Sequence, residues 1–132
     1  MGKSNPVSFQ RIRRRPEFER VYSQGARIRG RFMTLFVLPN GGEVPRFGVA
    51  ATRKLGSAVE RNRAKRLSRE VFRRHNVAAG LDIVIVPRRE MLDASFVTLE
   101  NDYRAALERA GRQLSSRARD RRHDRPQDDK NV

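Results

Sequence analysis

A chain of 132 residues with 30 Lys and Arg against 15 Asp and Glu carries a formal net charge of +15, which marks one small domain with a polyanionic partner. It contains no cysteine, which excludes disulfides, thiolate metal sites and cysteine nucleophiles. No segment approaches the roughly 20 apolar residues of a membrane span, and no apolar run precedes the first arginines, so neither a span nor a secretory signal is expected.

Residues 1–10 lack periodicity and are expected to be a disordered N-terminus, with a basic arm at 11–15. Pro16 suits the first turn of a short helix, Phe18, Val21 and Tyr22 share one face at i, i+3, i+4, and Gly25 ends it. Residues 31–38 are apolar on both faces and predict a strand covered on each side. The turn segment 39–45, with Asn40-Gly41 as its strongest signal, leads to a second strand near 46–52 expected to pair antiparallel with the first. Ser57 with Glu60 three residues on forms a capping box, and a helix follows to about His75 or Asn76. Residues 81–87 are a third core strand and 88–93 a loop. Ser95 caps a last helix, in which Phe96, Leu99, Tyr103, Ala106, Leu107, Ala110 and Leu114 form an apolar stripe ending near Gly111. From 115 onward core-forming residues are lacking, which predicts a disordered tail holding His123. The domain is thus 11–114, in the order α-β-β-α-β-α: an α+β two-layer sandwich on a mixed sheet of at least three strands.

Charge position is more informative than its total. Residues 11–31 hold eight arginines against Glu17 and Glu19, and residues 57–75 hold seven cations against Glu60 and Glu70. Residues 76–114 hold five arginines against six carboxylates, so the binding surface lies in the first part of the domain and the remainder is scaffold. On the helix after Ser57, Asn62, Lys65, Arg66, Arg69 and Arg73 fall within one arc, opposite Ala64, Leu67 and Val71. Stacked cations repel at i, i+4, and solvated faces normally mix signs; an unmixed stripe fits a phosphate backbone lying along it. No dimer zipper accompanies the stripe, which argues against a DNA-binding basic region. The opposite face has a sheet to cover, which argues against a membrane-surface helix.

Catalysis by the chain itself has little support. No carboxylate pair, nucleophile with a base at motif spacing, phosphate loop or dinucleotide fingerprint occurs, and His75 suits a helix C-terminus. Phe18, Tyr22 and Phe36 are candidate stacking platforms beside the basic surface. Spacing alone favours ordinary core for Phe18 and Phe36, whereas Tyr22 calls for an edge position for its hydroxyl.

The stretch from Phe47 to Glu70, with Arg61-Asn62-Arg63 followed by Lys65-Arg66-Leu67 and Arg69, closely resembles the protein subunit of bacterial ribonuclease P. The resemblance extends upstream through Arg15-Pro16-Glu17-Phe18-Glu19-Arg20-Val21-Tyr22 and Gly25, and downstream through Asp82-Ile83-Val84-Ile85-Val86-Pro87-Arg88, covering about 11–112. It implies an endoribonuclease that works as a ribonucleoprotein in the cytoplasm and removes the 5′ leader of precursor tRNA. Catalysis would be carried by the RNA subunit with its Mg2+ ions, and this chain would be a cofactor with no catalytic residue and no metal of its own. The partners implied are the catalytic RNA and precursor tRNA, with no DNA and no membrane. Arg53, Lys54, Arg61, Asn62, Arg63, Lys65, Arg66, Arg69 and Arg73 would bind the catalytic RNA. Phe18, Tyr22 and Phe36 would line a leader cleft between the first helix and the sheet, in place of the core role that spacing favoured. The implied fold is α-β-β-β-α-β-α, of three to four strands here, with a left-handed crossover through the basic helix and the second and third family strands merged around 43–52. Thr52 and Ser68 depart from the family's usual Ser and aliphatic residue; Ser68 is expected at the edge of the helix–sheet contact. A ribosomal-type RNA-binding protein and a general RNA chaperone remain alternatives.

Overall fold

The computed structural model describes residues 9–75 and 80–123. Among these residues three helices, α1 (Arg15–Gln24), α2 (Ala58–Arg74) and α3 (Phe96–His123), pack on one mixed sheet. Its strands are β1 (Gln10–Arg11), β2 (Ala26–Arg29), β3 (Met33–Pro39), β4 (Arg46–Val49) and β5 (Leu81–Pro87), in the order β1-β4-β5-β3-β2.

The alternation of side chains along each strand builds two cores. One face, carrying Ala26, Ile28, Met33, Leu35, Val37, Phe47, Ile83 and Ile85, is covered by α2 and α3 through Ala64, Val71, Phe72, Leu99, Tyr103, Ala106 and Ala110. On the opposite face a smaller cluster of Ile12, Val21, Leu38 and Val84 seats α1, with Phe18, Phe36 and Val86 packed at its margin. β5 is central because Ile83, Val84 and Ile85 are fully buried, a pattern only a strand covered on both faces can satisfy.

This placement corrects the expected pairing. The segments 31–38 and 46–52 do not form a hairpin: β3 pairs antiparallel with β2 and β5, while β4 pairs parallel with β1 and β5. The connection at 40–45 is too long to impose a tight turn, and β5, being more apolar, takes the place between them. β4 and β5 are then parallel neighbours joined through α2. Among the described residues the sheet has five strands rather than three to four. The unforeseen ones are β1, which is short and polar, and β2, where Arg27 and Arg29 alternate with buried Ala26 and Ile28. No bent strand spans 43–52; β4 stops at Val49.

Several boundaries also differ. The N-terminal expectation fails at Phe9, whose ring packs edge-on against Phe72 at 5.0 Å and Phe47 at 6.2 Å; residues 1–8 lie outside the described residues. Residues 89–93, expected as a loop, form a 3-10 turn that buries Met91 and Leu92. α3 does not stop near Gly111 or at 114 but continues to His123, tied by Arg117, whose guanidinium donates to the carbonyls of Gln24 (2.8 Å) and Gly25 (3.3 Å). The expected tail at 124–132 and the helix end at Asn76 lie outside the described residues.

Candidate nucleic-acid interface

α2 begins where the sequence indicated. The Ser57 hydroxyl accepts from the Glu60 amide (3.2 Å) and the Glu60 carboxylate accepts from the Ser57 amide (2.9 Å). This bond, reinforced by Arg89, holds the Glu60 carboxyl below the usual carboxylate range. Arg89 also donates to the Leu55 carbonyl (2.6 Å), tying the 3-10 turn between β5 and α3 to the turn before α2. Gly56 between them has φ 147°, and a side chain there would collide with the Glu60 carboxylate, so tight backbone explains this glycine.

The buried face of α2 is Ala64, Ser68, Val71 and Phe72. Ser68 is therefore not at the edge of the contact: it is 0% exposed, and its hydroxyl donates to the Ala64 carbonyl at 2.8 Å, which satisfies it within its own helix. The opposite face presents Asn62, Arg63, Arg66 and Arg73 to solvent, with Lys65 and Arg69 half-buried beside the sheet. Arg53 and Lys54, in a 3-10 turn at the helix entrance, are exposed as well. Arg61 differs, because its Nη1 donates to the Gly56 carbonyl at 2.9 Å and supports the turn. Burial, then repulsion from Arg11 and Arg73, pushes the Arg69 guanidinium pKa down, so cations from β1 and α2 crowd one another here.

Beside this helix, on the α1 face of the sheet, the three aromatics predicted from the sequence converge. Tyr22 lies edge-on to Phe36 at 4.8 Å and 6.2 Å from Phe18. Phe18 and Phe36 pack on the smaller core yet stay half-exposed, so core and surface roles coexist in them. Tyr22 is 37% exposed, and partial burial pushes its hydroxyl pKa up. Gly48 lies under Phe18; a Cβ there would come within 2.8 Å of the ring. An open groove of about 540 Å³ runs between α1 and the end of β4, lined by Arg13, Arg15, Phe18, Tyr22, Ala50 and Lys65 among others. A hollow of about 330 Å³ adjoins it, with Arg11, Arg13, Lys65 and Arg69 above Phe9 and Phe47. Lys65 lines both, and so joins the groove to the cationic face of α2. Arg11, Arg13 and Arg15 were legible as a basic arm, but β1 pairing with β4 is what brings Arg11 toward Arg69.

Two arginines, Arg20 and Arg46, do not belong to this surface. The Asp82 carboxylate is fully buried; it accepts from Arg20 (3.1 Å) and Asn40 (2.9 Å), and Arg46 Nε lies 3.3 Å away. Arg46 also pairs with Glu17 at 3.1 Å. Glu17 accepts from the Arg14 and Arg13 amides, which together with Arg46 hold its carboxyl below the usual range. Among the described residues no group of three or more His, Asp or Glu side chains gathers as metal ligands, and no helix is long and apolar enough to cross a membrane.

Fold and surface together define a small, strongly basic α+β protein, with an unmixed cationic helix face abutting an aromatic groove on the sheet. A family model described as Ribonuclease P matches residues 8–111, and the chain belongs to that family. Among its relatives, the ribonuclease P protein component of Caldanaerobacter subterraneus subsp. tengcongensis is 38% identical over 101 residues, covering 75% of this chain and 87% of that one. That of Oleidesulfovibrio alaskensis is 42% identical over 94 residues, covering 68% and 74% respectively. Among solved structures, the RNase P protein from Thermotoga maritima superposes with a TM-score of 0.68 at 30% identity, over 76% of this chain and 96% of the other. The Staphylococcus aureus RNase P protein does so with a TM-score of 0.68 at 28% identity, over 78% and 96%.

Proposed function

We propose that this chain is the protein cofactor of a ribonuclease P ribonucleoprotein, holding the catalytic RNA on α2 and the single-stranded 5′ leader of precursor tRNA in the aromatic groove. Family membership implies a part in processing tRNA 5′ ends. The observation that carries the finer reading is the junction at Lys65, where the groove lined by Phe18 and Tyr22, with Phe36 packed against Tyr22, meets the cationic face of α2. Arg53, Lys54, Asn62, Arg63, Lys65, Arg66, Arg69 and Arg73 contact the catalytic RNA in this reading, with Arg61 shaping the turn that presents them. The chain does no chemistry itself. In this reading hydrolysis and its Mg2+ ions belong to the RNA.

The physical rationale is charge and difference binding. Two RNAs repel each other, and a basic protein between them screens that repulsion. The groove adds contacts to a segment that mature tRNA lacks, and each stacked base contributes about 1–3 kcal/mol. Precursor then binds better than product. The setting for this work is the cytoplasm, with neither DNA nor membrane as partner.

The test is precursor-tRNA cleavage at low magnesium by a bacterial ribonuclease P RNA, alone and with this protein. Stimulated release of an intact leader is expected. Tight RNA binding without stimulation would instead favour a ribosomal-type protein or a general RNA chaperone. Arg66→Ala should weaken assembly with the catalytic RNA more than leader preference, and Phe18→Ala should do the reverse; equal effects in both assays would sink this division of labour.

A further inference from the structure

The register of the edge strand carries the aromatic surface further than the groove. In the antiparallel ladder of β2 and β3, Arg27 lies opposite Phe36 and Arg29 opposite Thr34. Directly opposed residues project to the same face, and Ala26 and Ile28 alternate into the core on the other side. Arg27 and Arg29 therefore stand on the face that carries Phe36, against which Tyr22 packs. Both are exposed, and neither forms an ion pair among the described residues. Residues two apart on a strand are about 6.8 Å apart, close to the separation of successive phosphates in an extended single strand.

We infer that Arg27 and Arg29 form a phosphate-binding wall on β2 that holds two successive phosphates of a single-stranded RNA beyond the bases stacked on Tyr22 and Phe36. This rests on the groove being the leader site, and it adds a leader-length dependence that the groove alone does not require. Arg117 supports the wall from behind. It lies past residue 111, where the family match ends, and its bonds to Gln24 and Gly25 hold the turn between the helix of Tyr22 and the strand of Arg27. Charged side chains on an edge strand also discourage unwanted strand pairing, a role indifferent to RNA, and the experiment separates the two.

The experiment measures binding of the reconstituted holoenzyme to mature tRNA and to precursors with leaders of increasing length. It compares the unaltered protein, the Arg27→Ala/Arg29→Ala pair, the Arg27→Lys/Arg29→Lys pair and Tyr22→Ala. For the alanine pair, affinity for long-leader precursors should fall about tenfold, and the slope of log K against log salt should become shallower by about 1.4, the value for two phosphates of a single strand. Short-leader precursor and mature tRNA should bind as before, and the lysine pair should retain most of the affinity. Should the alanine pair fail to fold, Arg27→Gln/Arg29→Gln gives the same reading. An unchanged salt slope with the alanine pair, while Tyr22→Ala abolishes leader preference, would overturn the wall and leave the groove standing. Loss of mature-tRNA binding to the same extent would also overturn it. Intact leader preference in Tyr22→Ala would remove the groove reading first, and the wall with it.

Discussion

Asp82 shows how a single carboxylate can organise a basic protein. It sits fully buried beneath α1, and Arg20, Asn40 and Arg46 converge on it from three elements. Removing one partner of a buried ion pair leaves the others uncompensated, so Asp82→Ala should cost about 3 kcal/mol, read as a lower urea midpoint with unchanged slope. Glu17 and Glu60 act differently, at the rims of helix N-termini. Backbone amides hold both carboxyls below their ordinary value of 4.5. A carboxyl depressed in the folded state adds stability above its unfolded pKa and loses that contribution as pH falls through the folded one. Stability should therefore be level near neutrality and decline below about pH 4.5. Glu17→Gln with Glu60→Gln should flatten that acid limb in thermal melts taken between pH 5 and 2. Ser68 illustrates a limit on reading residues singly: its polarity suggested an edge, yet the helix's own Ala64 carbonyl satisfies the hydroxyl in full burial.

At the scale of elements, the basic helix was legible because its signals are local. A capping box and a 3.6-residue apolar period depend on residues three or four apart, and both appear at the expected positions. α1 was legible for the same reason, from Pro16 to its end at Gly25. The strands were not equally so. β1 has no pattern of its own and exists because β4 offers it an edge. β2 did carry an alternating signal, Ala-Arg-Ile-Arg, but four residues next to a helix C-terminus are easily read as a loop. The end of α3 depended on Arg117 reaching carbonyls more than ninety residues earlier in the chain. The contact of α1 with β4 also yields a prediction. Gly48→Ala places a methyl group against the rim of Phe18, a flexible neighbour, so the ring should shift while the fold survives. Precursor affinity should drop severalfold with catalytic-RNA affinity unchanged, as measured by parallel titrations of both RNAs.

For the whole molecule, what matters is how the net charge of +15 is distributed. Arg20 and Arg46 turn inward to Asp82, whereas Lys65, Arg66, Arg69 and Arg73 are left without carboxylate partners among the described residues. If those four meet phosphate together with Arg53, Lys54 and Arg63, log affinity for the catalytic RNA should fall against log salt with a slope of about −6, and Arg66→Ala together with Arg73→Ala should make it shallower by about 1.8; filter binding from low to moderate salt measures both. The sequence by itself determined the composition class, the basic helix and its cap, the apolar strands and the candidate residues, because each depends on residue type or on neighbours within a turn. Tertiary structure decided the strand order, the joining of groove to helix at Lys65, the coexistence of core and surface roles in Phe18 and Phe36, and which arginines remain free. These depend on pairing between distant segments. Core burial on both faces of β5 sets that pairing, and it has no local periodicity to announce it.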